Sequence, residues 1–138
     1  MNNADVWKYL HDGRIANVTG SVPGDVRVEV SIRYLRQRFP GSGTGFVLGL
    51  SNCTLLRYEP YEGAPVRSLG EIARREIEIL SLESSEPIVV NCVMGTLHLA
   101  YTSSTLALDS GEPVSVKELS DASAGYWDEW SKRTRGSA

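Results

Sequence analysis

A chain of 138 residues is long enough to bury a core without staples, since a domain of this size hides roughly two-thirds of its unfolded surface. Fourteen basic and seventeen acidic side chains give a net charge of −3, with no clustered basic face of the kind that duplex nucleic acid requires, so no nucleic-acid partner is expected. No stretch approaches the roughly 18 apolar residues of a membrane span, and the opening Met1-Asn2-Asn3-Ala4-Asp5 lacks the regions of a signal peptide; a cytoplasmic protein of one domain, with no membrane partner, is expected.

Trp7, Tyr9 and Leu10 precede His11-Asp12-Gly13, whose Asp-Gly favours a turn, so the aromatics form a short opening segment that packs on a sheet. Ile15 to Thr19 reads as a strand. Val26-Arg27-Val28-Glu29-Val30-Ser31-Ile32 then alternates without a fault, which sends the valines and Ile32 to a core and marks a half-buried antiparallel strand. Arg33 to Phe39 breaks that period. Leu35 and Phe39, four apart, fit one or two helical turns ended by Pro40, with the arginines spread around them.

Gly41-Ser42-Gly43-Thr44-Gly45 is a flexible loop that lacks the lysine and long helix of a phosphate cradle. Phe46 to Leu50 reads as a strand, Ser51-Asn52 as a tight turn and Cys53 to Tyr58 as its return. Ser68-Leu69-Gly70-Glu71 matches a capping box, so a helix starts near Leu69 and lays Leu69, Ile72 and Ala73 on the sheet. From Glu76 to Leu82 a strand is favoured over a continued helix, because Glu76-Ile77-Glu78-Ile79 alternates.

Pro87 to Tyr101 is the best candidate for the middle of a sheet, two strands folding back at Met94-Gly95 with Ile88 to Val90 apolar on both faces. Leu106 to Leu108 forms the last strand. Ser115-Val116-Lys117-Glu118 is a second capping box, and Val116, Leu119, Ser123, Tyr126, Trp127 and Trp130 make one face of a helix of about four turns. Its Tyr126, Trp127, Trp130 stripe is expected to close one side of the fold as core, and residues 133–138 to fray. The sum is an α+β domain: a strongly twisted antiparallel sheet or open barrel of about eight strands, with two short helices in connections and a packed C-terminal amphipathic helix.

Chemistry is sparse. Cys53 and Cys92 lie in strand-like runs and read as reduced core thiols, and a Cys53–His98 pair across the sheet has no motif behind it. Two histidines and two cysteines at positions 11, 53, 92 and 98 match no zinc pattern, so no metal or other cofactor is expected. His11 beside Asp12 is the most tempting acid–base pair, although the turn chemistry of Asp-Gly accounts for it structurally. Glu59 and Glu62 belong to an acidic middle that offers a docking edge.

The run Trp7-Lys8-Tyr9-Leu10-His11-Asp12-Gly13-Arg14-Ile15, with the alternating Val26–Ile32 strand after it, resembles the "histidine-aspartate-small residue" hairpin start of small uncharacterised bacterial domains, some of them predicted immunity proteins of toxin systems. The resemblance spans residues 7–32, implies a non-enzymatic antiparallel domain and transfers no catalytic residue; Gly13 departs from the larger small residue common there. Three functions follow in order: a protein-binding, immunity-like domain acting by stoichiometric occlusion; a small-ligand binder or enzyme with a pocket near His11, Asp12 and His98; and a homo-oligomeric structural subunit using exposed strand edges.

Overall fold

The computed structural model describes residues 4–136. It is α+β, with eight antiparallel strands in two four-stranded sheets. The first sheet runs β1 (Arg14–Gly20), β2 (Gly24–Ser31), β3 (Gly45–Cys53), β8 (Ser103–Leu108). The second runs β4 (Leu55–Pro60), β7 (Gly95–Ala100), β6 (Ile88–Cys92), β5 (Ile79–Ser85). The helices are α1 (Arg33–Arg36), α2 (Leu69–Arg74) and α3 (Val116–Gly136), after an opening 3₁₀ turn at Asp5–Tyr9.

Register explains the core. Val26, Val28 and Val30 stand opposite Leu50, Leu48 and Phe46, and the last two stand opposite Leu106 and Leu108, so one face of three strands carries continuous apolar rows. In the second sheet Leu97 lies between Tyr58 and Val90, and Leu99 between Leu56 and Ile88. All of these side chains are buried in one cluster between the sheets. The central hairpin is β6–β7, as its composition predicts, though its turn falls one residue early, on Val93-Met94, with Met94 at φ 72°. Gly95 then opens β7, where a Cβ would run into the Glu59 carbonyl oxygen.

The expected hairpin at Ser51-Asn52 does not form. Asn52 does adopt the left-handed conformation that suggests a turn (φ 51°), but the chain only bends there and crosses from the first sheet into the second. β7 and β8 make the matching bend at Tyr101-Thr102, and the bends are joined by Thr54 N–H donating to Ala100 O (2.8 Å) and Thr102 N–H donating to Ser51 O (2.9 Å). Two bent strands thus form a shared corner between the sheets. At the far edge Ile79 N–H donates to Gly13 O and Ile15 N–H to Ile77 O, a contact too short to close a barrel.

Ser68 caps α2, its hydroxyl accepting from Glu71 N–H, and buries Ile72. Beyond it the chain is strand rather than helix, from Ile79 to Ser85, three residues later than alternation suggests. The loop at 41–45 is not free. Arg36, only 1% exposed, donates from Nε to Asp109 Oδ1 (2.9 Å) and from Nη1 to Pro40 O (3.1 Å), while Asp109 Oδ2 accepts from Thr44 and Gly45 N–H. Burial pushes the Asp109 carboxyl up, but the Thr44, Arg36 and Gly45 donors outweigh it and hold the group below the usual carboxylate range.

The Ser115 capping box is reciprocal: Glu118 N–H donates to Ser115 Oγ and Ser115 N–H to Glu118 Oε1. The helix it starts is 21 residues, nearer six turns than four, and it continues through Gly136, into the segment expected to fray; 137–138 lie outside the described residues. Leu119 is fully buried and Val116 and Ala122 pack on the core, but Trp127 is 39% and Trp130 49% exposed. The two tryptophans are therefore not core. The helix outruns the body that covers its first turns.

Candidate functional site

Two groups of polar and aromatic side chains stand out, and they separate the residues that the sequence proposes. The first surrounds the loop between the 3₁₀ turn and β1. His11-Asp12-Gly13 turns as Asp-Gly predicts, with Asp12 at φ 68° and Gly13 N–H donating to Leu10 O. The Leu80 carbonyl only accepts, so His11 Nδ1 carries the proton toward it, and Nε2 lies 3.4 Å from Asp12 Oδ1. Tyr34 on α1 donates its hydroxyl to the His11 carbonyl (2.7 Å). Burial, then Asp12 and Tyr126, push the Tyr34 phenol up to about 12, so it stays a neutral donor at physiological pH.

α3 lays its rings against this loop. Tyr126 lies 4.3 Å from Tyr34 between ring centroids, Trp127 6.0 Å from Tyr34 and 6.2 Å from His11, and Trp130 6.0 Å from Trp127. The Tyr126–Trp127 and Trp127–Trp130 pairs are edge-to-face, at 80° and 72°. Arg38 pins the helix laterally by an ion pair to Glu129 (2.8 Å), lying where a side chain on Gly125 would have to be. Beside Tyr34, an open depression of about 310 Å³ is lined by Asp12, Arg14, Ser31, Ile32, Arg33 and Glu78. The outcome is an aromatic ledge with a mixed charged rim.

The second group lies on the outer face of the second sheet. Arg57 stands opposite His98, and Glu59 opposite Thr96, across the β4–β7 ladder. His98 Nε2 lies 3.0 Å from both Glu59 Oε2 and Thr96 Oγ1. A relay of the kind that activates a hydroxyl needs the carboxylate on one ring nitrogen and the hydroxyl on the other; here a single nitrogen serves both, so the trio cannot pass a proton from Thr96 to Glu59 through the ring. Arg57 Nε is 3.0 Å from Glu59 Oε1, close enough for an ion pair, yet the buried N–H is not aligned for a hydrogen bond. This is a cross-strand polar ladder.

His11 and Asp12 therefore belong to the ledge, His98 and Glu59 to the ladder, and Glu62 lies exposed in the bend after β4. Of the three side chains expected to share a pocket, His11 and Asp12 lie together, and His98 is held elsewhere by Glu59 and Thr96. Cys53 does not meet His98 either: its thiol is buried beside the Leu55 carbonyl (3.3 Å), while His98 points outward. Both cysteines are free and buried, and burial raises both thiols, that of Cys92 to about 12, which removes the thiolate on which nucleophilic chemistry depends. Among the described residues no group of three or more His, Cys, Asp or Glu converges as a metal site.

Sequence reasoning passed over Tyr34, Arg14, Arg33 and Arg38. A signal existed in Arg33-Tyr34-Leu35-Arg36-Gln37-Arg38, an aromatic residue interleaved with arginines, but spacing alone did not tell the buried Arg36 from its exposed neighbours. No helix among the described residues is long and apolar enough to cross a membrane. No family model matches the chain, and no curated protein or solved structure matches it.

Proposed function

We propose that this chain is a cytoplasmic protein-binding domain of the immunity-like kind, acting by stoichiometric occupation of a partner's surface. The observation that carries this reading is the ledge: two tryptophans left 39% and 49% exposed, backed by Tyr126, Tyr34 and His11. Tryptophan, tyrosine and arginine dominate the binding energy of protein interfaces, and a rigid ring cluster presents them at low entropic cost. The small-ligand alternative loses support because His98 is held by Glu59 and Thr96, apart from the paired His11 and Asp12, and an enzymatic one because neither cysteine nor Thr96 is activated.

The test is affinity capture with the wild-type chain, followed by reconstitution from purified components and sedimentation. A complex of defined, one-to-one stoichiometry is expected. Turnover of a small molecule by a chain that forms no such complex would sink the reading.

A further inference from the structure

His11 is held between three elements, and its ring is one proton short for the place it occupies. Its Nδ1–H is committed to the Leu80 carbonyl on β5, and its own carbonyl accepts from Tyr34 on α1. Nε2 then points a lone pair at Asp12 Oδ1, 3.4 Å away and longer than an N–H···O bond, so two acceptors face each other. α3 brings Trp127 to 6.2 Å from the imidazole between ring centroids, with Trp130 edge-to-face on Trp127 and Tyr126 against Tyr34. The other charges near the ring are balanced. Asp12 shares the depression beside Tyr34 with Arg14, Arg33 and Glu78, two cations and two carboxylates in all. On the 3₁₀ turn Lys8 is paired with Asp5 (3.2 Å), and on α3 Glu129 is paired with Arg38 (2.8 Å) and Asp128 with Lys132 (3.1 Å). Carboxylates and guanidinium groups ordinarily keep their charge between about pH 5 and 8, whereas histidine ordinarily changes its charge in that range.

Taking the ledge as the docking surface, a step that rests on the protein-binding reading above, we infer that His11 is a proton-operated clasp that sets how firmly the tryptophan end of α3 is held. A proton taken up from solvent on Nε2 turns the two facing acceptors into a charge-assisted N–H···O bond to Asp12, while Nδ1–H keeps the Leu80 carbonyl. The imidazolium fixed in this way is a cation beside the Trp127 ring, whose π-system attracts it. At mildly acid pH the later turns of α3 therefore gain an anchor, and at alkaline pH they lose it. With side chains 44% and 51% exposed, the His11–Asp12 pair is of the kind that shifts a two-state ratio by about 1.4- to 5-fold, so the clasp adjusts the ledge rather than opening or closing it. His98, held by Glu59 and Thr96 on the outer face of the second sheet, is the internal control.

Tryptophan emission of the purified chain, followed from about pH 8 to about pH 5, tests the clasp without any partner. An imidazolium quenches an indole beside it more strongly than a neutral imidazole does, so emission should fall along a one-proton curve. The fall should vanish in His11→Gln, whose amide still donates to the Leu80 carbonyl, and in Trp127→Phe, which leaves His11 in place. It should persist in His98→Gln. Acrylamide should quench the wild type less efficiently at the acid end than at the alkaline end, and Asp12→Asn should reduce that difference. Emission that is flat with pH, a fall that survives His11→Gln or Trp127→Phe, or one lost in His98→Gln would overturn the inference. So would acrylamide quenching that is equal at both ends in the wild type. Circular dichroism verifies that each variant keeps its fold; if His11→Gln does not, the Trp127→Phe comparison decides. Failure here strikes the clasp and leaves the protein-binding reading in place, whereas a chain that shows the curve but forms no one-to-one complex loses the reading and keeps the clasp.

Discussion

Leu119 and Trp130 occupy nearly the same angular position on α3, three turns apart, and their surroundings are opposite. Leu119 is fully buried and Trp130 is half exposed. Eleven residues at about 100° each return to within about 20° of the starting direction, so periodicity assigns both to one face. What differs is the neighbour. The first turns of α3 lie over the core through Val116, Leu119 and Ala122, whereas the later turns meet α1 and the His11 loop, through Tyr34, Arg38 and His11. A hydrophobic stripe states which side of a helix is apolar, and the length of the body beneath it states how far that side is covered. The same contrast recurs in α1, where Arg36 is buried on Asp109 and Arg33, one turn away, faces solvent.

Substitutions sharpen that contrast. The largest loss is expected from Leu119→Ala, roughly 2–5 kcal/mol from lost burial and the cavity left behind, measured by urea unfolding. Asp109→Asn should cost about 2–3 kcal/mol, because it leaves the buried Arg36 without its counter-charge. It also carries a pH signature. The Asp109 carboxyl is held below its unfolded value, so its contribution is complete above about pH 4 and disappears as pH falls through the lower folded value. The wild type should therefore lose stability relative to Asp109→Asn as pH falls below about 4, seen by urea unfolding repeated at descending pH. Equal acid sensitivity in the two proteins would show that Asp109 is not a stabilising anion.

Ser115→Ala removes one side of the reciprocal cap and should cost about 1 kcal/mol, seen as a lower midpoint with unchanged slope. Trp130→Ala, on the same stripe as Leu119, should change stability by no more than about 0.5 kcal/mol. A loss comparable to that of Leu119→Ala would mean that the end of α3 is part of the core after all, and the ledge would cease to be a binding candidate.

Most of the fold was legible because its signals are local. Val26 to Ile32 alternates, Ser68 and Ser115 cap their helices, and Ile88 to Val90 is apolar on both faces, each of which follows from neighbours in the chain. Ser51-Asn52 misled because a left-handed Asn serves a corner as well as a turn, and only the pairing partner tells them apart. β3 takes β8 and β4 takes β7, strands far along the chain from them rather than their neighbours in sequence. The site was less legible still. His11 and Asp12 were visible as a pair, but nothing local reveals that Tyr34 and Trp127 gather around them, or that His98 and Glu59 lie on another face.

Local chemistry in the chain was thus enough to set the α+β character, the strand faces, the central β6–β7 hairpin and the capped start of α3. Tertiary structure alone decided which strands cross between sheets, which arginine of α1 turns inward, and which rings of α3 stay uncovered. The physical reason is the same in each case: periodicity and turn propensity act over a few residues, whereas burial depends on what another part of the chain brings to the same place.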